Sequence, residues 1–248
     1  MAKQTGLGDA FFISGYDLSG DVNALGSVSG SIATLDVTAI NKLAHERLGG
    51  LRDGTMEFTT VFDNAANAEH AVLSALPRTD VITSYYITPV LGGAAANLNG
   101  KQIDYAPTRA TDGMLTNAIS VQANTYGLEW GQQLTAGKRT DVAATLGTSV
   151  NNTAASSFGF QAYLHVFSFT GTDATVKIQD SADNVTFADL ASGAFTQVTT
   201  NTPQAQRIAV GGTATVRQYV RVSTVTTGGF SSLIFAVSFT RNLTAPEF

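Results

Sequence analysis

The stretch DVTAINKLAHERLGGLRDGTMEFTTVFDN, Asp36 to Asn64, changes period midway, and its two halves decide how the chain is read. Val37, Ile40, Leu43, Ala44 and Leu48 recur near the 3.6 period, with Asn41, Lys42, Glu46 and Arg47 between them. That spacing predicts a short amphipathic helix capped by Asp36 or Thr38. Gly49 and Gly50 are expected to end it in left-handed backbone, and Asp53-Gly54 to make a turn. From Thr55 the period becomes two. Met56, Phe58, Thr60 and Phe62 face one way, while Thr55, Glu57, Thr59, Val61 and Asp63 face the other, as in a strand with one packed and one wet face. The stretch carries no active-site residues and reads as architecture.

Upstream, short strands are expected at Ala10 to Ser14 and Ser27 to Ala33. Downstream, Ala68, Ala71, Val72, Ala75 and Leu76 predict a second short helix that stops before Pro77. Val81 to Leu91 reads as a strand in which Pro89 implies an edge or a bulge, and GGAAANLNG, Gly92 to Gly100, as a mobile loop. Leu115 to Tyr126 and Leu128 to Trp130 supply a further strand pair or one bent strand. The small, polar run from Thr135 to Ser157 places a domain boundary near Asn151, giving domains 1–150 and 151–248.

Beyond that boundary seven strands are expected: Phe158 to Phe169, Ala174 to Gln179, Thr186 to Leu190, Phe195 to Val198, Gln206 to Val210, Thr215 to Val225 and Ser231 to Thr240. Seven short strands suggest a sandwich. In the last, Leu233, Phe235, Val237 and Phe239 alternate with Ser232, Ile234, Ala236 and Ser238. Asp183-Asn184 is expected to form a hairpin turn.

At 248 residues the chain has ample core for two domains. Only 13% of residues are charged, and 24 are glycine, in a background rich in Thr, Ala, Ser, Val and Asn, which suits many short strands and tight turns. Such a bland surface fits subunits that bury much of themselves against neighbours, and fits a monomeric β-sandwich too. The formal charge is −5, with the acidic excess before Asn151 and five basic residues balancing five acidic ones after it. The lack of a basic run argues against a grip on nucleic acid, although mild acidity also serves solubility. Cysteine is absent, which excludes disulfides and thiolate chemistry. MAKQTGLGDAFF lacks the pattern of a removable signal, no apolar run reaches spanning length, and the terminal Glu247-Phe248 could be native or an appended tail.

Catalytic and metal sites are not expected. His45, His70 and His165 fall in separate elements without partners at ligand spacing, so His45 reads as a solvated or interface residue and His165 as a paired strand histidine. The glycines of GLGDAFF and SGSIATLD lack the Lys of a phosphate loop, and no G-x-S-x-G elbow occurs. No cofactor is expected; calcium could bind Asp180, Asp183 and Asp189 with backbone carbonyls, but their separation does not fit an EF-hand loop. The sequons at Asn151, Asn184 and Asn242 would matter only in a secretory pathway. Of the aromatics Phe187, Phe195, Tyr219 and Phe230, most are expected in the core; Phe230, beside Gly228-Gly229, is the candidate glycan contact.

A short helix, then GLRDG, then a strand opening T-M-E-F resembles the signature of phage major tail tube proteins. DGMLTNAISVQANTYGLEW, Asp112 to Trp130, resembles later strands of that domain, so the resemblance runs to about Thr140. VKIQDSADNVTFADL with QYVRVSTVT resembles jelly-roll modules of the galactose-binding-like and discoidin-type group, with an immunoglobulin-like sandwich as the rival. The expected fold is therefore mainly β: a tail-tube-type β-sandwich or barrel with one or two short helices, then a C-terminal β-sandwich. The resemblance implies a virion protein of the tail, present in the host cytoplasm during assembly. Its copies would form stacked, hexameric rings that conduct DNA without binding it specifically, meet the tape measure and tail terminator proteins, and insert in no membrane. Ile40, Leu43, Leu48, Leu51, Arg52, Asp53 and Gly54 are the candidate assembly contacts, and the C-terminal domain would decorate the outside, where it could touch a host surface glycan. The alternative is a non-catalytic carbohydrate-binding protein with a jelly-roll module.

Overall fold

The computed structural model describes residues 5–245, so the terminal Glu247-Phe248 and the first four residues lie outside the described residues. Sixteen strands and one helix follow in chain order: β1 (Ala10–Ile13), β2 (Tyr16–Asp17), β3 (Val22–Asp36), β4 (Arg47–Val61), α1 (Glu69–Leu73), β5 (Val81–Tyr86), β6 (Ala94–Arg109), β7 (Leu115–Ala123), β8 (Glu129–Gln133), β9 (Arg139–Asp141), β10 (Val150–Asn151), β11 (Phe160–Gly171), β12 (Thr175–Ser181), β13 (Ala188–Ala194), β14 (Gln204–Val210), β15 (Tyr219–Val225) and β16 (Phe230–Arg241). The fold is mainly β and antiparallel, as expected from composition, and its sheets do not close into a barrel.

The helix expected over Asp36 to Leu48 does not form. Those residues end β3, make a loop, and begin β4, which runs unbroken through Gly49, Gly50, Asp53 and Gly54. Two physical causes oppose a helix. No core surface faces Ile40 or Leu43, and a helix this short is marginal without an apolar face to bury. Asp36 Oδ1 also accepts hydrogen bonds from Thr38 N (2.9 Å) and Thr38 Oγ1 (2.5 Å), while Thr38 Oγ1 accepts one from Glu46 N at 2.8 Å, so side chains offer the backbone a turn instead. The second expected helix does form as α1, one turn ending before Pro77.

GGAAANLNG is likewise not a loop. From Ala94 it is the start of β6, hydrogen-bonded to β5 on one side and β8 on the other, with Ala95, Ala96, Asn97 and Leu98 buried. At Gly100 an added Cβ would lie 2.2 Å from Gln122 O of β7, so the small residue there answers to a close backbone approach. β5 stops at Tyr86, short of the strand expected to Leu91, and Phe195 to Val198 contributes only an isolated bridge, Ala174 to Val198. The remaining C-terminal strands fall within a few residues of the positions that alternation gives.

Twelve strands form one sheet with the path β14-β11-β16-β8-β6-β5-β1-β2, to which β3, β4, β7 and β9 attach; β10-β15-β12-β13 form a second sheet. β8 pairs with β6 and with β16, through Gln132 to Phe239 and Gln133 to Ser238, so one ladder crosses from the first part of the chain to the last. The path curls until its end returns to its beginning. At that return Gly15 has φ +87, and a Cβ on it would lie 2.2 Å from Gln204 N, so the position requires glycine.

Three apolar clusters fill the molecule. Phe11, Ile13, Met56, Phe58, Leu98, Ile119 and Val121 are among those packed under the N-terminal strands; in β4, Met56, Phe58 and Thr60 are buried as the period of two requires. Phe160, Leu164, Val176, Ile178, Val222, Phe235 and Phe239 are among those filling the space between the two C-terminal sheets. Phe12, Tyr86, Ala95 and Ala236 make a small cluster where the curled path brings the two parts together. In the C-terminal part β11 pairs with β16 and β12 with β15, first with last and second with last but one. This nested order departs from the ABED and CFG sheets of an immunoglobulin sandwich and follows the wrapping of a jelly roll.

Candidate functional site

The most distinctive surface of the molecule is the far half of the β3–β4 hairpin. β4 pairs with β7 only from Thr55 to Val61; from Asp53 to Arg47 its sole partner among the described residues is β3, which itself pairs with nothing else among them. The hairpin leaves the sheet at the cross-strand pair Gly30 and Gly54. Leu128 sits over both, and a Cβ on Gly54 would lie 2.6 Å from Leu128 N and 2.9 Å from Leu128 Cβ. Two glycines therefore let a buried leucine clamp the root of a free arm.

Beyond the root the arm exposes Ile32, Leu35, Val37, Ile40, Leu43, Leu48 and Leu51, with Ile40 at 106% and Leu43 at 107% relative exposure. Ser31 to Asp36 on β3 and Arg47 to Asp53 on β4 carry the tip about 20 Å from the root at ~3.3 Å per residue. The tip itself is well tied. Val37 N donates to Glu46 O at 2.9 Å, Lys42 N to Ala39 O at 3.0 Å, Lys42 Nζ lies 2.7 Å from Glu46, and His45 Nδ1 meets Asp36 Oδ2 at 2.9 Å. The Thr38 bonds hold the Asp36 carboxyl below the usual carboxylate range. Ile40 and Leu43 are thus presented by an ordered loop.

The sequence-derived candidates Ile40, Leu43, Leu48, Leu51, Arg52, Asp53 and Gly54 all lie on this arm or at its root. They come together as a hairpin with two apolar faces. Phe230 lies elsewhere, at the start of β16, half-buried against Phe169 with ring centroids 6.3 Å apart. Asp180, Asp183 and Asp189 each serve protein partners: Asp180 accepts from Arg217 N (2.8 Å), Asp183 caps its hairpin turn through Val185 N (2.9 Å) and Thr186 N (2.8 Å), and Asp189 takes Lys177 (2.9 Å) and Gln179 (2.8 Å). Among the described residues no group of three or more acidic or histidine side chains is placed to hold a metal, and no helix is long and apolar enough to cross a membrane.

Two buried polar clusters join the parts of the chain; of their members only His165 is marked by the sequence. Glu129 on β8 accepts from Arg207 Nη2 at 2.7 Å and Nε at 3.3 Å and from the Tyr163 hydroxyl, while the guanidinium lies 3.6 Å from the Tyr126 ring centroid. Burial and the Glu129 carboxylate push the Tyr163 phenol well above its ordinary range. His165 is fully buried. Its Nδ1 accepts from Gly15 N at 3.2 Å, so Nε2 carries the proton and donates to Ser84 Oγ at 2.9 Å; Ser84 (2.8 Å) and Ser238 (2.6 Å) both donate to Asn97 Oδ1. The paired strand histidine expected from sequence is thus observed, as a structural link.

No protein-family model and no curated protein sequence matches the chain. Among solved structures it is similar to the Dit (gp 19.1) protein of SPP1, described as a paradigm of the hub adsorption apparatus in Gram-positive infecting phages, at 12% identity and a TM-score of 0.36, over 94% of this chain and 99% of that one. It is also similar to chains of the phage P2 baseplate in its activated conformation, with Ca at 10% identity and a TM-score of 0.33, and with Sr at 11% and 0.33, each over 94% of this chain and 98% of the other. Scores of this size mark distant similarity and assign no role.

Proposed function

We propose that the chain is a non-enzymatic structural component of a phage tail, a major tail tube subunit whose copies associate into stacked, hexameric rings around a channel for DNA. The bare arm is the observation that supports this most. An isolated two-stranded hairpin is marginal in water, and an open edge carrying large apolar side chains invites pairing. An arm with seven exposed large apolar residues fits a subunit whose neighbours cover it. Of the resemblance to tail tube proteins, the strand opening T-M-E-F and Asp112 to Trp130 support the same reading, while the helix and GLRDG turn of that signature are loop and strand here; the net charge of −5 with no basic run suits a channel that DNA slides through.

Residues 1–150 would form the ring and 151–248 an outer domain, with tape measure and tail terminator proteins meeting the ends of the stack. A host-glycan contact at Phe230 would use only the part of the ring that Phe169 leaves uncovered. Negative-stain electron microscopy with light scattering on concentrated protein tests the reading. Stacked tubes are the expected result. Rings that stay single would place the subunit at one end of a tail, and uniform monomers across the concentration range would overturn the assembly reading.

A further inference from the structure

We propose that the arm tip of one copy, Ile40 and Leu43, seats in a cavity at the opposite end of the same hairpin in the next copy. The inference rests on the assembly reading and names the surface that receives the arm.

The receiving site is a cavity of about 390 Å³ between residues 6–11 and the start of β3. Leu7, Ala10, Phe11, Val22, Leu25 and Tyr85 supply its apolar lining. Phe11 belongs to the N-terminal core, and Val22, Leu25 and Tyr85 are half-buried against that core, so the floor is rigid. Leu7 is exposed at 88% on the wall. An exposed leucine beside an apolar hollow is surface that gains from being covered.

Geometry excludes a chain filling its own cavity. Leu25 lines the cavity and Asp36 begins the tip, and the chain between them spans about 35 Å of extended strand at ~3.3 Å per residue. The hairpin is paired along that whole length and does not fold back. Only another copy can bring Ile40 and Leu43 to the hollow, and a contact between unlike ends of identical subunits is head-to-tail: it closes a ring when the rotation between copies allows and otherwise extends a filament.

Charge matches in the same direction. Inside the tip Lys42 pairs with Glu46 and His45 with Asp36, which leaves Arg47, opposite Asp36, without an ion-pair partner among the described residues; nearer the root Arg52 and Asp53, also without partners there, offset each other in charge. The cavity end carries the sign opposite to Arg47. Asp9 lines the hollow, and Asp21 and Asp63 lie beside it on the segments flanking β3 and β4; none of the three has a cation partner among the described residues, whereas nearby Asp17 has Lys138. Burial first, then repulsion from Asp63 and Asp17, raises the Asp21 carboxyl above its usual range. The unpaired Arg47 guanidinium at the tip and the carboxylates without cation partners at the hollow are complementary and favour this orientation over arm against arm.

Absence of cysteine makes the test direct. Leu43→Cys and Leu25→Cys proteins are mixed and treated with a short bis-maleimide, with Val185→Cys, exposed on the C-terminal part, as the control partner and Leu7→Cys as a second cavity variant in case Leu25 is needed for folding. Light scattering is recorded on each mixture before cross-linking. The expected result is several-fold more cross-linked dimer for Leu43→Cys with either cavity variant than with Val185→Cys. Oligomers that cross-link no better at the cavity than at Val185 would overturn the arm-in-cavity contact and leave the assembly reading standing; protein that stays monomeric would overturn both.

Discussion

His165 Nε2 lies 2.9 Å from Ser84 Oγ across 81 positions of sequence, and this bond ties β11 to β5 at the inside of the curled sheet. With Nδ1 accepting from Gly15 N, the ring has no room for a second proton without setting two donors against each other.

Burial accordingly lowers the His165 pKa from 6.5 to about 3. A histidine whose folded pKa is depressed costs nothing above pH 6.5 and destabilises the fold as pH falls from there toward 3. At pH 4.5 the loss is about 2–3 kcal/mol at ~1.4 kcal/mol per unit. Urea denaturation at pH 7.0 and 4.5 should show it, and His165→Gln should lower stability at pH 7.0 while flattening the slope between the two. Asp173, held at about 2 by Thr227 and Gly228 donors, adds its loss only below the carboxylate range, outside this window.

Arg207→Ala strips a buried carboxylate of its cation, since the Glu129 side chain is 8% exposed and Arg207 9%. The expected cost is about 3–5 kcal/mol, more than any exposed ion pair here, such as Lys42 with Glu46 at about 0–1 kcal/mol. Paired denaturation curves of Arg207→Ala and Lys42→Ala check the ranking. Equal shifts would show that solvent reaches Glu129.

Legibility from sequence follows from how local the cause is. Thr55 to Val61 was readable because one face of the strand meets a core, and Ser231 to Thr240 because its large apolar residues sit on one face while small Ala236 and Ser238 are buried on the other, a contrast written into adjacent residues. Asp36 to Leu48 misleads because apolar residues aimed at nothing within the chain recur at a spacing that a helix also uses. GGAAANLNG has loop composition, yet from Ala94 it is a strand paired on both sides with Ala95, Ala96 and Leu98 buried, which only tertiary structure reveals. Ile40, Leu43, Leu48 and Leu51 could be singled out from sequence and are found exposed, whereas the Glu129 to Arg207 pair, separated by 78 positions, leaves no local trace.

Gly54→Ala should cost about 1–3 kcal/mol, because the added methyl meets Leu128 backbone rather than a movable side-chain end. Gly49→Ala is the control on the same strand: its methyl would meet Ile32 Cγ2 at 3.6 Å, an ordinary contact, and stability should hardly change. At about 2–4 °C per kcal/mol for a chain of this size, thermal melts separate the two.

Leu43→Asp should abolish or weaken assembly while leaving the stability of the subunit within about 0.5 kcal/mol of the parent, since the side chain is fully exposed and supports nothing within its own chain. Charge reversal at Arg52 should act in the same direction by removing a cation that no internal carboxylate claims, and reversal at Asp53 tests whether the other charge of the arm contributes, its Oδ1 also accepting from Gly54 N at 2.7 Å. Sedimentation of each variant across a concentration series, paired with thermal melts, distinguishes an assembly defect from a folding defect. Unchanged polymerisation of Leu43→Asp would remove the arm tip from the interface, and a lowered melting temperature without loss of assembly would assign the arm to the stability of the subunit instead.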